Sequence, residues 1–236
     1  PFTPRRHSVS ESRHLPPGGG VAVVGGGPAG SFFALHLLSF ASEVGLRLEV
    51  DIYEPRSFAA PGPRGCNRCA GILSARLLRN LKELGVELPG SVIQNYITAY
   101  SLHSPFGTIT IGNPEREAPI VSVYRGGGPL RFPLDAAASL DSFLLGQARA
   151  RGARVVASRV EQIQAGTHPA VVVSGKRRPY DLVALACGVN TLGASVSGAR
   201  YVPPSVRRMA QDELYASPEA VKEHFKPEFL NRLTAQ

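Results

Sequence analysis

No stretch of the 236 residues stays apolar for the roughly twenty positions that a membrane-spanning helix needs, because Gly, Pro or His interrupts the longest candidates. A helical span is therefore not expected, although contact with a membrane surface remains open. Cysteine is also scarce. Three of them, an odd number, do not suit a disulfide scaffold and favour a reducing compartment, so the expected location is the cytoplasm. The formal charge of +8 has no basic run of five or more residues behind it, so nucleic acid is not an expected partner. A spread positive charge suits anionic cofactors or lipid headgroups better. Arg5, Arg6 and Arg13 near the N-terminus are followed by no apolar segment, so this stretch does not read as a secretory signal. The chain begins with Pro, which leads us to expect a fragment or a processed product.

What is present is enough apolar side chain, 43% of residues, to fill a domain core. Residues 1–20, rich in Pro, Gly, Arg and Ser, are expected to form a disordered basic tail. Val21 to Val24 is a short β-branched run that fits a buried parallel strand. From Pro28 to about Val44 the spacing of Phe33, Leu37, Leu38 and Ala41 predicts a helix that Gly45 stops. A second strand is expected from Leu46 to Tyr53. Leu77, Leu78, Leu81 and Leu84 predict a helix over 74–84. Alternating runs at 96–103, 106–111 and 120–124 predict an inserted antiparallel sheet, around 93–132. A further helix is expected over 139–151, then strands at 154–157, 160–163, 170–174 and a last buried strand at 182–186. Ser217-Pro218 marks a short helix start. The fold class is α/β, a Rossmann-like domain over 21–190, with residues 191–236 opening another domain.

The glycine turn carries the functional argument. In Gly25-x-Gly27-x-x-Gly30, Gly25 permits a tight turn, Gly27 lets the backbone approach a diphosphate, and Gly30 lets helix and strand pack closely. Pro28 and Ala29 open the helix, whose free amides and dipole favour an anion. Glu54 ends the second strand, where a carboxylate can accept from both hydroxyls of a ribose. The pair Cys66 and Cys69 is compatible with a redox dithiol or half a zinc site. Zinc would need two more ligands, which neither His103 nor Cys187 supplies as a second paired motif, so no metal is expected. Gly126-Gly127-Gly128-Pro129 echoes the first turn, but Pro133 falls where its helix would continue, so it reads as a turn. Arg125 before it is either a contact for a flavin or substrate anion or a solvated side chain.

The segment Val23-Val24-Gly25-Gly26-Gly27-Pro28-Ala29-Gly30-Ser31 resembles the FAD-binding opening of the flavoproteins that include aromatic-ring hydroxylases and geranylgeranyl reductases. Ser139-Leu140-Asp141 and the strand Asp181 to Gly188 are similar to later motifs of that group. Cys69-Ala70-Gly71 resembles the cysteine turn of the geranylgeranyl reductases. The resemblance implies FAD as cofactor, with Cys69 beside the flavin assisting protonation and Ala70, Gly71, Val160 and Gly188 contributing to the cofactor site. It also implies flavin-driven reduction of double bonds in a prenyl or other hydrophobic substrate, with a flavin monooxygenase or a non-catalytic dinucleotide-binding fragment as alternatives. The electron donor is not specified. Two departures stand out: Cys187 replaces the group's usual Asp, and no Gly-Asp pair occurs anywhere, so the chain is expected to stop before the FAD and substrate domains are complete.

Overall fold

Glycine followed by four small or β-branched residues makes a strand that both neighbours can approach closely, and this strand, β1 (Gly19–Val24), is central. A computed structural model describes residues 14–60, 71–113, 119–128, 135–188, 195–199, 201–202, 205, 217 and 219–220. In it β1 begins at Gly19, inside the stretch expected to be a tail. Its glycines are there for space: a Cβ on Gly20 would press on the Tyr180 ring at 3.3 Å. On one side β1 pairs in parallel with β2 (Leu48–Tyr53), and β2 with β8 (Arg154–Val156). On the other it pairs in parallel with β12 (Leu182–Leu185), giving the order β12-β1-β2-β8.

The end of β2 does not alternate between buried and exposed positions, since Val50, Asp51, Ile52 and Tyr53 are all buried. A strand inside a parallel sheet is covered on both faces, so polar residues on it must find partners. The last strand departs in the opposite sense. Among the described residues β12 lies at the sheet edge, and Leu185 is exposed.

Helices cover one face of the sheet. Helix α1 (Pro28–Glu43) buries Ala34, Leu35 and the expected Ala41, and Phe33, Leu37 and Leu38 pack, partly covered, against the same core. Small Ala34 brings the helix close to Val21 and Val23 in the same core. Helix α2 (Ala75–Glu83) starts at Ser74, whose hydroxyl accepts from the Leu77 amide, and buries Leu81. Helix α3 (Leu140–Ala150) is capped by Ser139 and buries Leu144 and Ala148. Full burial of a side chain such as Leu144 stabilises the fold by about 1.5–3 kcal/mol.

The opposite face of β1 meets a second apolar cluster, in which Ala22, Val24 and Tyr53 pack with Val160, Ile163, Val171 and Val173. Ile163, Val171 and Val173 belong to a small sheet ordered β11-β10-β9-β13, made of β9 (Gln162–Gln164), β10 (Ala170–Val173), β11 (Lys176–Pro179) and β13 (Ser195–Ser197). Val160 precedes β9 and is not within a strand. The α/β class is as expected, with three layers of helices, parallel sheet and small sheet.

The insert forms two pieces where one sheet was expected. β3 (Ile72–Leu73), β7 (Ile120–Val123) and β4 (Ile93–Ile97) make an antiparallel three-stranded sheet. β5 (Ala99–Ser104) and β6 (Gly107–Gly112) form a separate hairpin. No described helix is long and apolar enough to cross a membrane. Ser217 accepts from the Ala220 amide at 3.2 Å, as a helix cap would.

Candidate dinucleotide site

The carboxyl ends of β1 and β2 are where a parallel sheet places ligands, and there the glycine turn is held from several sides. The Gly25 amide donates to the Tyr53 carbonyl at 2.9 Å, hanging the turn on β2. Gly25 has φ 110°, a conformation that side chains disfavour, and a Cβ there would sit 2.5 Å from the Ala186 carbonyl at the end of β12. Gly30, in the first turn of α1, lies so close to Gly25 that a Cβ would overlap its carbonyl oxygen. Gly27 is different. It caps α1 with φ −67°, and the nearest atom to a Cβ there is an Arg56 guanidinium nitrogen at 3.9 Å.

Helix α1 therefore begins with no side-chain cap and no acidic residue in its first turn, with Pro28 half-buried and Ala29 exposed. Such a start leaves amides and the positive end of the helix dipole to an anion. Glu54 lies beside it, buried at 3% exposure, its own amide donating to the Val156 carbonyl of β8 at 3.0 Å. Oε2 of Glu54 accepts from the Gly26 amide at 3.0 Å, and Oε1 from the Arg56 amide at 3.0 Å. The Arg56 guanidinium completes the set, with Nε on Oε1 at 2.9 Å and a terminal nitrogen on Oε2 at 3.0 Å. Turn and carboxylate are thus one assembly, which fits the adenosine diphosphate half of FAD: a bare backbone for the diphosphate and a carboxylate for the ribose.

Three contributors escape a reading of the motif alone. Gly26 occupies a variable position of the spacing, yet a Cβ on it would come within 2.7 Å of the Glu54 Cβ. Ser31, fully buried, donates from Oγ to the Gly26 carbonyl at 3.0 Å and fixes the turn from below. Arg56 is the third. The run of three glycines is a signal for Gly26, and the separation of two residues from Glu54 is a weak one for Arg56.

The remaining candidates are placed as follows. Gly188, φ 75°, follows Cys187, whose backbone abuts Gly25, so the end of β12 reaches the turn. Val160 is 4% exposed with its side chain inside the second apolar cluster, which leaves only its backbone for a ligand. Gly71, φ 63°, accepts from the Val123 amide at 2.8 Å, and a Cβ on it would overlap the Val123 carbonyl oxygen. A structural requirement alone accounts for that glycine. Cys66, Cys69 and Ala70 lie outside the described residues. The Arg125 guanidinium forks onto buried Asp141, at 2.8 and 3.0 Å, with its side chain 24% exposed. The Gly126 amide adds a third bond to Asp141 at 2.8 Å, so this pair ties the end of β7 to the start of α3.

A second polar cluster lies at the β2–β8 side. Asp51 accepts from Arg154 at 2.7 and 2.6 Å and from the Tyr180 hydroxyl at 2.6 Å, while the Tyr180 and Tyr53 hydroxyls are 2.6 Å apart. Burial pushes the Asp51 carboxyl upward, but the bonds from Arg154 and Tyr180, with the charges of Arg154 and Arg178, outweigh it and hold the group below its ordinary value. Burial and the neighbouring Asp51 push the Tyr180 phenol well above its usual range. This network has a structural role, anchoring the edge strand β8 to β2.

No family model and no curated protein matches this chain. Among solved structures it is similar to the flavin-dependent brominase Bmp2, with 16% identity and a TM-score of 0.52 over 72% of this chain and 38% of that one. It is also similar to CtdE in complex with FAD, with 16% identity and a TM-score of 0.46 over 73% and 39%. A third is the peptidyl tryptophan dihydroxylase QhpG, with 19% identity and a TM-score of 0.44 over 72% and 32%. At these identities the likeness to the brominase speaks for the fold alone. The chain spans less than two fifths of the length of each of these three proteins.

Proposed function

We propose that this chain is the dinucleotide-binding part of an FAD-dependent oxidoreductase, with Gly25 to Gly30 facing the diphosphate and Glu54 the adenosine ribose. The observation that carries the reading is the assembly of a bare helix start, an open Gly27 and a buried carboxylate at the carboxyl ends of two adjacent parallel strands. FMN has neither the adenosine ribose nor the second phosphate, so these residues favour FAD. Bound FAD supplies hydride or electron transfer at its ring system, and the residues of this chain bind it and set its orientation.

For the substrate, we propose reduction of double bonds in a prenyl or other hydrophobic molecule, with Cys69 near the reacting atoms. What supports this finer reading is the resemblance of Cys69-Ala70-Gly71. Titration with FAD and with FMN tests the cofactor, and we expect a clear preference for FAD. Equal binding of FMN overturns it. For a longer chain that retains flavin, anaerobic oxidation of the reduced flavin by a prenyl substrate is the expected result; oxidation that requires O₂ and hydroxylates the substrate would replace reductase with monooxygenase.

A further inference from the structure

We propose that Arg56 competes with the adenosine ribose for Glu54 and, once displaced, serves the diphosphate, which makes it a residue that selects diphosphate-bearing ligands over nucleosides. The inference rests on the dinucleotide reading above. An ionised carboxylate offers about four acceptor positions. On Glu54 all four are taken, each oxygen holding one backbone amide and one guanidinium nitrogen. The two backbone bonds are built into the turn and into the chain after β2, and a ribose cannot remove them without unfolding either. A ribose diol donating to both oxygens must therefore replace both guanidinium bonds and nothing else.

The displaced guanidinium has a short way to go. Its terminal nitrogen already lies 3.9 Å from the position that a Cβ on Gly27 would occupy, which is the approach left open to a diphosphate. Its side chain is 41% exposed, on the solvent side of buried Glu54. The Phe58 ring lies 5.3 Å from its central carbon and gives the cation a surface on which to turn. A ligand with a diphosphate returns an anion to Arg56 in exchange for the carboxylate. Adenosine takes the carboxylate and returns nothing, so it bears the loss of two charge-assisted bonds without compensation.

The test is calorimetric titration of the 236-residue chain with ADP and with adenosine, for the parent, Arg56→Met and Arg56→Lys, with circular dichroism to confirm folding. In Arg56→Met adenosine should bind about tenfold more tightly or better, because no guanidinium bond to Glu54 has to be broken, while ADP, which in the parent breaks those bonds but returns an anion to Arg56, should change less, so that the preference for ADP over adenosine falls about tenfold. Arg56→Lys keeps a charge for the diphosphate but cannot cover both carboxylate oxygens. It should raise adenosine affinity less than Arg56→Met does and keep the preference for ADP closer to that of the parent, and it carries the test if the Met variant does not fold. Unchanged adenosine affinity in a folded variant overturns the proposal, as does an equal change in ADP and adenosine affinity. A parent chain that binds neither ADP nor FAD overturns the dinucleotide reading itself, whatever Arg56 does.

Discussion

Gly30 and Gly25 are in such close contact across the turn that a side chain on Gly30 would overlap the carbonyl oxygen of Gly25, with Val23 Cγ1 only 3.1 Å away on the other side. Gly27, three residues earlier, has only an Arg56 guanidinium nitrogen near the same position, at 3.9 Å. The glycines of one motif therefore answer to different demands, and substitution separates them.

Gly30→Ala should destabilise the fold whether or not a ligand is added. Forcing one methyl into a packed site usually costs about 1–3 kcal/mol, and overlap with backbone places this case at the upper end. Urea denaturation should show a lower midpoint with little change in slope. An unchanged midpoint would mean that α1 can slide away from β1 without cost.

Gly27→Val should do the reverse. At φ −67° the backbone suits any residue, so the urea midpoint should stay close to that of the parent. FAD titration should show binding lost, since the side chain fills the approach to the turn. If this variant binds FAD as the parent does, the diphosphate does not rest on Gly27.

Glu54→Gln preserves shape and keeps one acceptor for the Gly26 amide, but it replaces the other carboxylate oxygen with a donor. Charge-assisted bonds to the ribose are worth about 1.5–3 kcal/mol each, so FAD affinity should fall roughly tenfold or more. Titration beside Gly27→Val should rank Glu54→Gln as the milder change.

The parts of this site legible in the sequence are those set by local spacing. Gly25, Gly27 and Gly30 follow Val21 to Val24 and open a helix, and that order alone predicts strand, turn and helix. Long-range partners leave no periodic trace. Asp51 meets Arg154 and Tyr180 from 103 and 129 residues away, and nothing in the runs around them marks the pairing. The strand Lys176–Pro179 escapes for another reason: all four residues are exposed, and it is held at a sheet edge by backbone bonds to Ala170–Val173, where Lys, Arg and Pro are tolerated. Leu182–Leu185 misleads in the opposite direction, since its apolar run reads as buried while its place is at an edge.

Asp51 makes the fold sensitive to acid. Its carboxyl is held below the ordinary value of 3.8, so the unfolded chain takes up its proton first as pH falls. The stability contributed by this group is fully present above that ordinary value and is lost as pH drops through the lower, folded one. Urea midpoints measured from pH 7 down to about pH 2 should therefore fall most steeply below about pH 4. Asp51→Asn should be less stable at pH 7 and flatter across the acidic range. Curves that run parallel for parent and variant would assign the acid sensitivity to other carboxylates.

Arg125 and Asp141 provide a sharper test of what the buried ion pair does. Arg125 is 24% exposed at its side chain and Asp141 only 4%, so the two partners are not equivalent. Removing Asp141 leaves a cation that can reach water, together with an orphaned Gly126 amide. Removing Arg125 strands a buried carboxylate with that single amide. Loss of one partner from a buried pair commonly costs about 3–5 kcal/mol, and partial exposure of Arg125 moves the expectation for Arg125→Met to about 3 kcal/mol. Adding Asp141→Leu to that variant removes the stranded charge and fills its space with apolar atoms, so the double variant should recover part of the loss. Urea denaturation of both single variants and the double one closes the cycle. If the double variant is less stable than Arg125→Met by the full cost of Asp141→Leu alone, the two residues are not coupled, and the join between β7 and α3 rests on the backbone bonds around Gly126 instead.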